Sequence, residues 1–297
     1  MTAGSTVSIG EPPLGSPDGS LGVVPDTVRQ VLILSRYQFR DYLRSRRFIL
    51  MLSIVAAVGV ILTTVIAYFR PATLLDNSND FYGGLWAGGA TFLILFAGII
   101  FGGDAIAGEF QNKTGYFLMG LPVRRATVYV GKYLAVLMAS VISIGFYLAI
   151  LFGNGAYYLG WGAFSDLGNL AASICLALLY LLALMGFVFF FSSLFKTSTY
   201  AVLVVAVLFL FAFSIVQAVY VALVHAEPWF MLSYANGVIA YPLTGVQQHI
   251  VHTVNPFTGA RSTSYNPTYV EGIGVMLLYW ILTSVVGLFL FEREEFT

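Results

Sequence analysis

The sequence predicts an all-α integral membrane protein with six transmembrane helices and a short amphipathic helix in front of them. Composition is the first reason: of 297 residues, 59% are hydrophobic and 9% are charged, whereas a soluble domain has about 25% charged residues. So few charges cannot cover a surface that faces water. The second reason is that the apolar residues come in long uninterrupted blocks, which are typical of a chain dissolved in a bilayer. The third is the distribution of the basic residues.

The first 47 residues are predicted to form two segments that precede the membrane. Residues 1–25 are rich in Gly, Ser and Pro, which indicates a disordered tail. Residues 26–47 repeat apolar side chains at helical spacing and carry arginines on another face, which predicts an amphipathic helix at the membrane interface. Among lipid phosphates we place Arg36, Arg40, Arg44 and Arg47. Docking of this helix on a protein surface is the alternative.

Six apolar blocks follow, and together they make residues 48–297 a transmembrane domain. Each block reaches the roughly 20 residues that a helix needs to cross about 30 Å of hydrocarbon. The blocks cover residues 48–69, 81–103, 127–153, 170–195, 199–224 and 270–291.

The basic residues predict the orientation of these helices. With the N-terminus inside the cell, twelve Lys and Arg residues lie on the inner side, and only Arg70 and Arg261 lie outside. This positive-inside bias predicts a multi-pass protein of the plasma membrane with both termini in the cytoplasm. It also makes residues 104–126 a cytoplasmic loop and residues 225–269 a long extracellular loop.

Several kinds of chemistry are not indicated. Ionisable residues are not found deep in the predicted spans, where coupled transporters usually hold a proton or an ion. A nucleophile with its base is not apparent, and the segment ending in Gly131-Lys132 lacks the Gly and the Ser or Thr of a phosphate-binding loop. The formal net charge of zero suggests no nucleic-acid partner. We therefore predict that the chain is not an enzyme and binds no cofactor itself.

Weaker patterns leave alternatives open. His249 and His252, with His225 and Glu227 nearby, could form a metal site if they shared a helix face, but scattered loop histidines are more often solvent-exposed, so we expect no metal. The glycine pairs at positions 84 and 88 and at positions 98 and 102 allow close packing of helices, within the chain or with a second copy. Ser214 and Gln217 are the main polar residues deep in the fifth span. They serve either interhelical hydrogen bonding or a substrate pathway.

The predicted inner loop carries an ordered set of residues. Glu109 follows the second span, Thr114 and Gly115 come next, and the loop continues through Leu121-Pro122, Arg124 and Arg125 to Gly131-Lys132 at the third span. The run Ser192 to Ser198 forms a short inner turn, and Phe291-Glu292-Arg293 forms a charged end. This order resembles the ABC-2 family of permeases over roughly residues 26–297. Lys113 stands where the family usually has Gly before Thr114.

The resemblance implies a permease of the type V exporter architecture, in which two permease chains surround a pathway. The resemblance also implies that a separate ATP-binding subunit, which would hold ATP and Mg, lies under each chain. The second chain is either identical or a paralogue. The inner loop would couple the two proteins through Glu109, Thr114, Gly115, Pro122, Arg124 and Arg125.

Two other functions compete with this one. The first is a membrane scaffold or assembly factor that does not transport. The second is a sodium-coupled carrier that uses backbone carbonyls as ligands, since such a site would leave no ionisable residue in the spans.

Overall fold

A computed structural model describes residues 26–112, 123–254 and 261–293. Residues 1–25, which are predicted to be a tail, lie outside the described residues. Within the described part, six helices are long and apolar enough to cross a membrane. Numbered as spans 1 to 6, they are Arg46–Phe69, Ser78–Gln111, Arg125–Phe164, Leu167–Leu194, Ser198–Val224 and Tyr269–Arg293. The predicted all-α fold with six transmembrane helices is therefore confirmed.

Three of the spans are composite helices. Span 2 is built from α-helical pieces at Ser78–Tyr82, Gly88–Ala97 and Ala107–Gln111, with π-helical turns at Gly83–Ala87 and Gly98–Gly102. Span 3 ends in a 3₁₀ turn, Gly160–Phe164, after the α-helix Arg125–Leu159. Span 5 contains a π-helical turn, Leu208–Ala212, between Ser198–Val207 and Phe213–Val224. Single π-helical turns often occur at functional positions of helices.

Span 2 lies at the centre of the bundle and span 5 lies at its edge. In span 2, 72% of the most apolar stretch is buried inside the chain, against 11% in span 5. Polar contacts fix the centre: the indole of Trp86 donates to Ser173 Oγ at 3.0 Å, and the Tyr147 hydroxyl donates to the Leu85 carbonyl at 2.7 Å. Span 5 therefore presents most of its surface to lipid or to another chain.

Packing within the chain accounts for one of the two glycine pairs. A Cβ atom at Gly98 would lie 2.8 Å from Leu184, and one at Gly102 would lie 2.9 Å from Val188, both in span 4. A Cβ atom at Gly84 would lie 2.5 Å from Leu74, whereas one at Gly88 would meet nothing within 4 Å. The glycines at positions 98 and 102 thus let span 2 approach span 4.

The first helix, α1 (Thr27–Arg44), packs against span 3. The two helices approach closely at Gly131, where a Cβ atom would lie 2.8 Å from Leu34. Ser35 is buried on this face, while Arg36, Arg40 and Arg44 are exposed together with Leu32, Ile33 and Tyr37. The predicted apolar face is thus partly used for docking on the chain itself, and the exposed face combines arginines with large apolar side chains.

The connection between spans 5 and 6 has structure that the sequence analysis did not predict. It contains short helical turns at Leu232–Ala235, Asn236–Ile239 and Tyr241–Thr244. A two-stranded antiparallel hairpin follows, formed by β1 (Ile250–Val254) and β2 (Arg261–Tyr265), with Ile250 opposite Tyr265. A further short helix, Ala72–Leu75, lies between spans 1 and 2. The end of the bundle at which the C-terminal residues of spans 1, 3 and 5 lie is called the loop end. The opposite end is called the basic end.

Candidate functional site

At the basic end, span 2 breaks into a turn and a short helix that we call the junction segment, residues 103–111. The break exposes backbone groups that an unbroken helix would satisfy. Ser192 of span 4 satisfies them instead, because its Oγ accepts from the amides of Ile106 and Ala107 at 3.1 and 3.0 Å and donates to the Gly103 carbonyl at 3.0 Å. Ser192 is fully buried. One hydroxyl group therefore fixes the direction in which the junction segment leaves span 2.

A buried ion pair joins the junction segment to span 3. Lys132 and Glu109 form a short salt bridge, and their side chains are only 5% and 15% exposed. The Lys132 ammonium also donates to the Ala105 carbonyl at 2.8 Å. A buried ammonium is stable only beside a carboxylate and other acceptors. Glu109 and Ala105 together meet that requirement.

A second ion pair joins the same segment to spans 1 and 5. The Asp104 carboxylate contacts the Arg47 guanidinium of span 1 and accepts from the Ser198 hydroxyl group of span 5. The Ser198 amide donates to Gln111 Oε1 at 2.9 Å. Burial, and then the negative charge of Asp104, raises the pKa of the neighbouring Tyr42 phenol in α1. Tyr42 is therefore an uncharged side chain that lines this cluster.

The junction segment is therefore a hub for the whole basic end. Besides spans 1, 3, 4 and 5, it contacts span 6, because the ring of Phe110 packs against that of Phe291 at 6.2 Å. A pocket of about 220 Å³ lies beside it, lined by Gln38, Arg47, Asp104, Glu109 and Lys132 among others. The junction segment thus has a side-chain contact with each of the other five spans.

The structure describes three of the six coupling residues predicted from sequence. Glu109 lies in the hub, but its carboxylate contacts Lys132 of the same chain. The sequence predicted that it would contact a partner protein. Arg124 is exposed at the first residue before the span 3 helix. Arg125 donates to the Glu292 carbonyl at 2.9 Å, which ties span 3 to span 6. Thr114, Gly115 and Pro122 lie outside the described residues.

The four arginines predicted at the membrane interface lie in two different helices. Arg36, Arg40 and Arg44 are exposed on α1, as the prediction requires. Arg47 instead lies beyond α1, as the second residue of span 1, and is paired with Asp104. This contact gives Arg47 a carboxylate partner within the chain, while its side chain remains 46% exposed.

Ser214 and Gln217 lie in the half of span 5 that leads to the loop end. Both line a cleft of about 720 Å³, together with residues of span 5 and of β2. Ser214 is exposed, and Gln217 Oε1 accepts from the Ser233 hydroxyl group at 3.2 Å. Gln217 thus has an intrachain partner, while Ser214 faces the cleft.

Sequence reasoning missed the role of Asp104, Ser192 and Ser198 in this hub. Most of their contacts join residues that are 85 or more positions apart in the sequence. The hydroxyl group of Ser192 and the amide of Ala107 are an example. In the sequence these residues show only a weak local pattern. An acidic residue follows one apolar block, and residues with hydroxyl groups lie at the end of another block. Nothing in a single sequence shows which two block ends meet.

An ABC-2 family transporter model matches residues 32–296, which is most of the chain. The chain belongs to the ABC-2 family of membrane transporter proteins. No curated protein matches it.

Proposed function

We propose that this chain is the permease subunit of an ATP-binding cassette exporter and that a separate subunit binds and hydrolyses ATP. Membership of the ABC-2 family supports the transport function. The observation that carries the coupling step is the hub at the basic end, where one short segment contacts all five other spans. If a partner displaced the junction segment, these contacts would transmit the displacement to every span.

A second permease chain fits the exposed surface of span 5. That helix buries only 11% of its most apolar stretch, yet it carries Ser214 on an open cleft. Polar groups at membrane depth usually face a cavity or another helix, because lipid cannot satisfy them. The proposed pathway therefore runs along span 5, between this chain and its partner chain.

The proposed orientation places the basic end in the cytoplasm. There the hub and the exposed Arg124 are accessible to an ATP-binding subunit, and Arg36, Arg40 and Arg44 of α1 lie level with lipid phosphates. Leu32, Ile33 and Tyr37 on the same exposed face would enter the acyl boundary.

Cysteine accessibility tests this orientation. In a Cys175→Ala background, we expect cysteines replacing Asp76 and Gln247 to react with a membrane-impermeant maleimide in intact cells. Cysteines replacing Asn112 and Lys196 should react only after permeabilisation, since they lie at the basic end. All four positions are exposed, so access to the side chain itself is not limiting. Labelling of Asn112→Cys in intact cells would reverse the orientation and remove the coupling proposal with it.

Arg124 is the best residue for testing contact with an ATP-binding subunit, because its side chain is exposed and its replacement leaves the hub intact. We expect Arg124→Glu to lower ATP hydrolysis by the reconstituted complex about tenfold, which corresponds to about 1.4 kcal/mol of coupling. Arg124→Lys, which keeps the charge, is the control and should retain most of the activity. Thermal unfolding of the free chain should not change in either variant. Equal hydrolysis by the Glu and Lys variants would exclude Arg124 from the contact.

A further inference from the structure

The loop end contains a cluster of side chains that the transport function does not use. Glu227 follows span 5, His249 precedes β1, and Glu271 lies in the first turn of span 6. One ligand atom from each, an imidazole nitrogen or a carboxylate oxygen, lies within 4.8 Å of the other two. All three side chains are partly exposed, so an ion from solvent can reach them.

The contacts of His249 leave a position between its ring and Glu227 that a proton or a metal ion can occupy. Its Nδ1 lies 2.9 Å from the Asn266 carbonyl oxygen, and its Nε2 lies 2.9 Å from Glu227 Oε2. A carbonyl oxygen only accepts, so Nδ1 carries the proton of a neutral ring, and Nε2 then turns a lone pair toward a carboxylate. This arrangement is stable when a second proton or a metal ion lies between them.

Several features favour a metal ion over a proton. The contact between Nδ1 and a backbone carbonyl is the outer-shell hydrogen bond that orients most metal-binding histidines. Two carboxylates with a neutral imidazole carry two negative charges, which balance a divalent cation. Tyr234 lies beside the pair, with its hydroxyl group 3.4 Å from Glu227 Oε2.

Glu271 has a structural role that leaves room for a ligand role. Its Oε2 accepts from the Thr268 amide at 2.8 Å, and its own amide is 3.3 Å from Thr268 Oγ1, which is the reciprocal arrangement of a capping box. A carboxylate offers two oxygens with about four lone-pair positions. The cap therefore holds the carboxylate in place without exhausting its capacity to bind an ion.

We propose that Glu227, His249 and Glu271 form a binding site for a zinc-like divalent transition-metal ion. Zinc takes imidazole nitrogen and carboxylate oxygen, whereas calcium and magnesium take oxygen ligands. Around a tetrahedral zinc ion with bonds of about 2.0–2.2 Å, ligand atoms lie roughly 3.3–3.6 Å apart. The observed separations include 2.9 Å between His249 Nε2 and Glu227 Oε2 and do not exceed 4.8 Å, so they lie on both sides of this range. The bound ion would connect the end of span 5, the hairpin and the start of span 6.

This proposal departs from the sequence-based expectation of no metal. That expectation considered His249 with His252 on one helix face, but residues Ile250–Val254 form a strand, so the helical spacing does not apply. Glu271 was not considered, because it lies at the far end of the connection, 22 residues after His249.

Zinc binding to the purified full-length chain is the direct test. The chain is purified in detergent with a tag that contains no histidine, stripped with a chelator and titrated with Zn²⁺ by calorimetry. We expect one zinc ion per chain, and competition by excess Mg²⁺ or Ca²⁺ should be weak. Each of Glu227→Gln, His249→Gln and Glu271→Gln should lower zinc affinity at least about tenfold. Glutamine at position 271 can still close the capping box, so this variant removes charge and not the cap.

His225→Asn is the matched control, since it removes another loop-end histidine. Asparagine suits this position, because His225 has a left-handed backbone with φ of 54°. Zinc affinity should not change in this variant. X-ray absorption on the wild-type chain gives a readout that does not depend on the folding of variants, and it should show one imidazole with oxygen ligands. Substoichiometric zinc, or unchanged affinity in His249→Gln, would overturn the proposal. Stabilisation by acid without zinc binding would also overturn it, because a proton would then occupy the position.

Discussion

Replacing Glu109 with Gln should destabilise the chain by about 3–5 kcal/mol, because it leaves the buried Lys132 ammonium without its carboxylate. The Lys132 side chain is only 5% exposed, so water from the neighbouring pocket replaces the lost carboxylate only in part. We expect a lower yield of monodisperse protein and a clear fall in the thermal unfolding midpoint in detergent. The effect on coupling in the assembled complex can then be measured only on the fraction that folds.

The double variant Glu109→Gln/Lys132→Met separates this loss from a general effect of mutation. Removing both charges leaves no unpaired ion, and methionine retains most of the volume of the lysine side chain. The double variant should therefore lose less than half of what Glu109→Gln alone loses. The expected coupling energy between the two residues is about 2 kcal/mol or more. If the loss in the double variant equals the sum of the losses in Glu109→Gln and in Lys132→Met, the pair does not stabilise the hub.

Ser192→Ala should be the second most destabilising change, at about 2–4 kcal/mol. It removes one hydroxyl group that satisfies the amides of Ile106 and Ala107 and the carbonyl of Gly103 in a buried position. A buried backbone group without a partner costs about 1–3 kcal/mol. Denaturant or thermal unfolding in mixed micelles measures the loss.

The adjacent Ser193→Ala is the control, because Ser193 is equally buried but only donates to the Phe189 carbonyl of its own helix at 2.9 Å. That change should cost roughly 1 kcal/mol or less. A similar loss in both variants would mean that Ser192 does not fix the junction segment.

The spans were predictable because they are a local property of the chain. A run of about 20 apolar residues has few alternatives to crossing a bilayer as a helix. Span 1 illustrates this: the predicted block 48–69 and the observed helix Arg46–Phe69 end at the same residue. Span 2 extends beyond its predicted block to Gln111, because the charged residues after Gly103 are held by contacts with other spans.

The unpredicted parts depend on contacts between distant residues. Lys132 and Glu109 were both noticed, but not as a pair, because their contact depends on how spans 2 and 3 pack. The hairpin has mixed polar and β-branched residues, and its register joins Ile250 to Tyr265 across a connection whose residues 255–260 lie outside the described residues. Each case needs the relative placement of two segments, which one sequence does not contain.

The disordered tail at residues 1–25 and the interfacial position of α1 stay predictions. The structure describes α1 as a helix and shows which of its side chains are exposed. A bilayer is the environment that would explain why arginines and large apolar side chains share that exposed face.

The most direct test of the central claim is the composition of the complex purified from native membranes. With a mild detergent and an affinity tag on this chain, we expect to recover a stoichiometric partner that contains a phosphate-binding loop. The complex should hydrolyse ATP, and Arg124→Glu should lower that rate about tenfold. Recovery of intact, monodisperse chain with neither an ATP-binding partner nor ATP hydrolysis would contradict the proposal and favour a non-transporting scaffold or a sodium-coupled carrier.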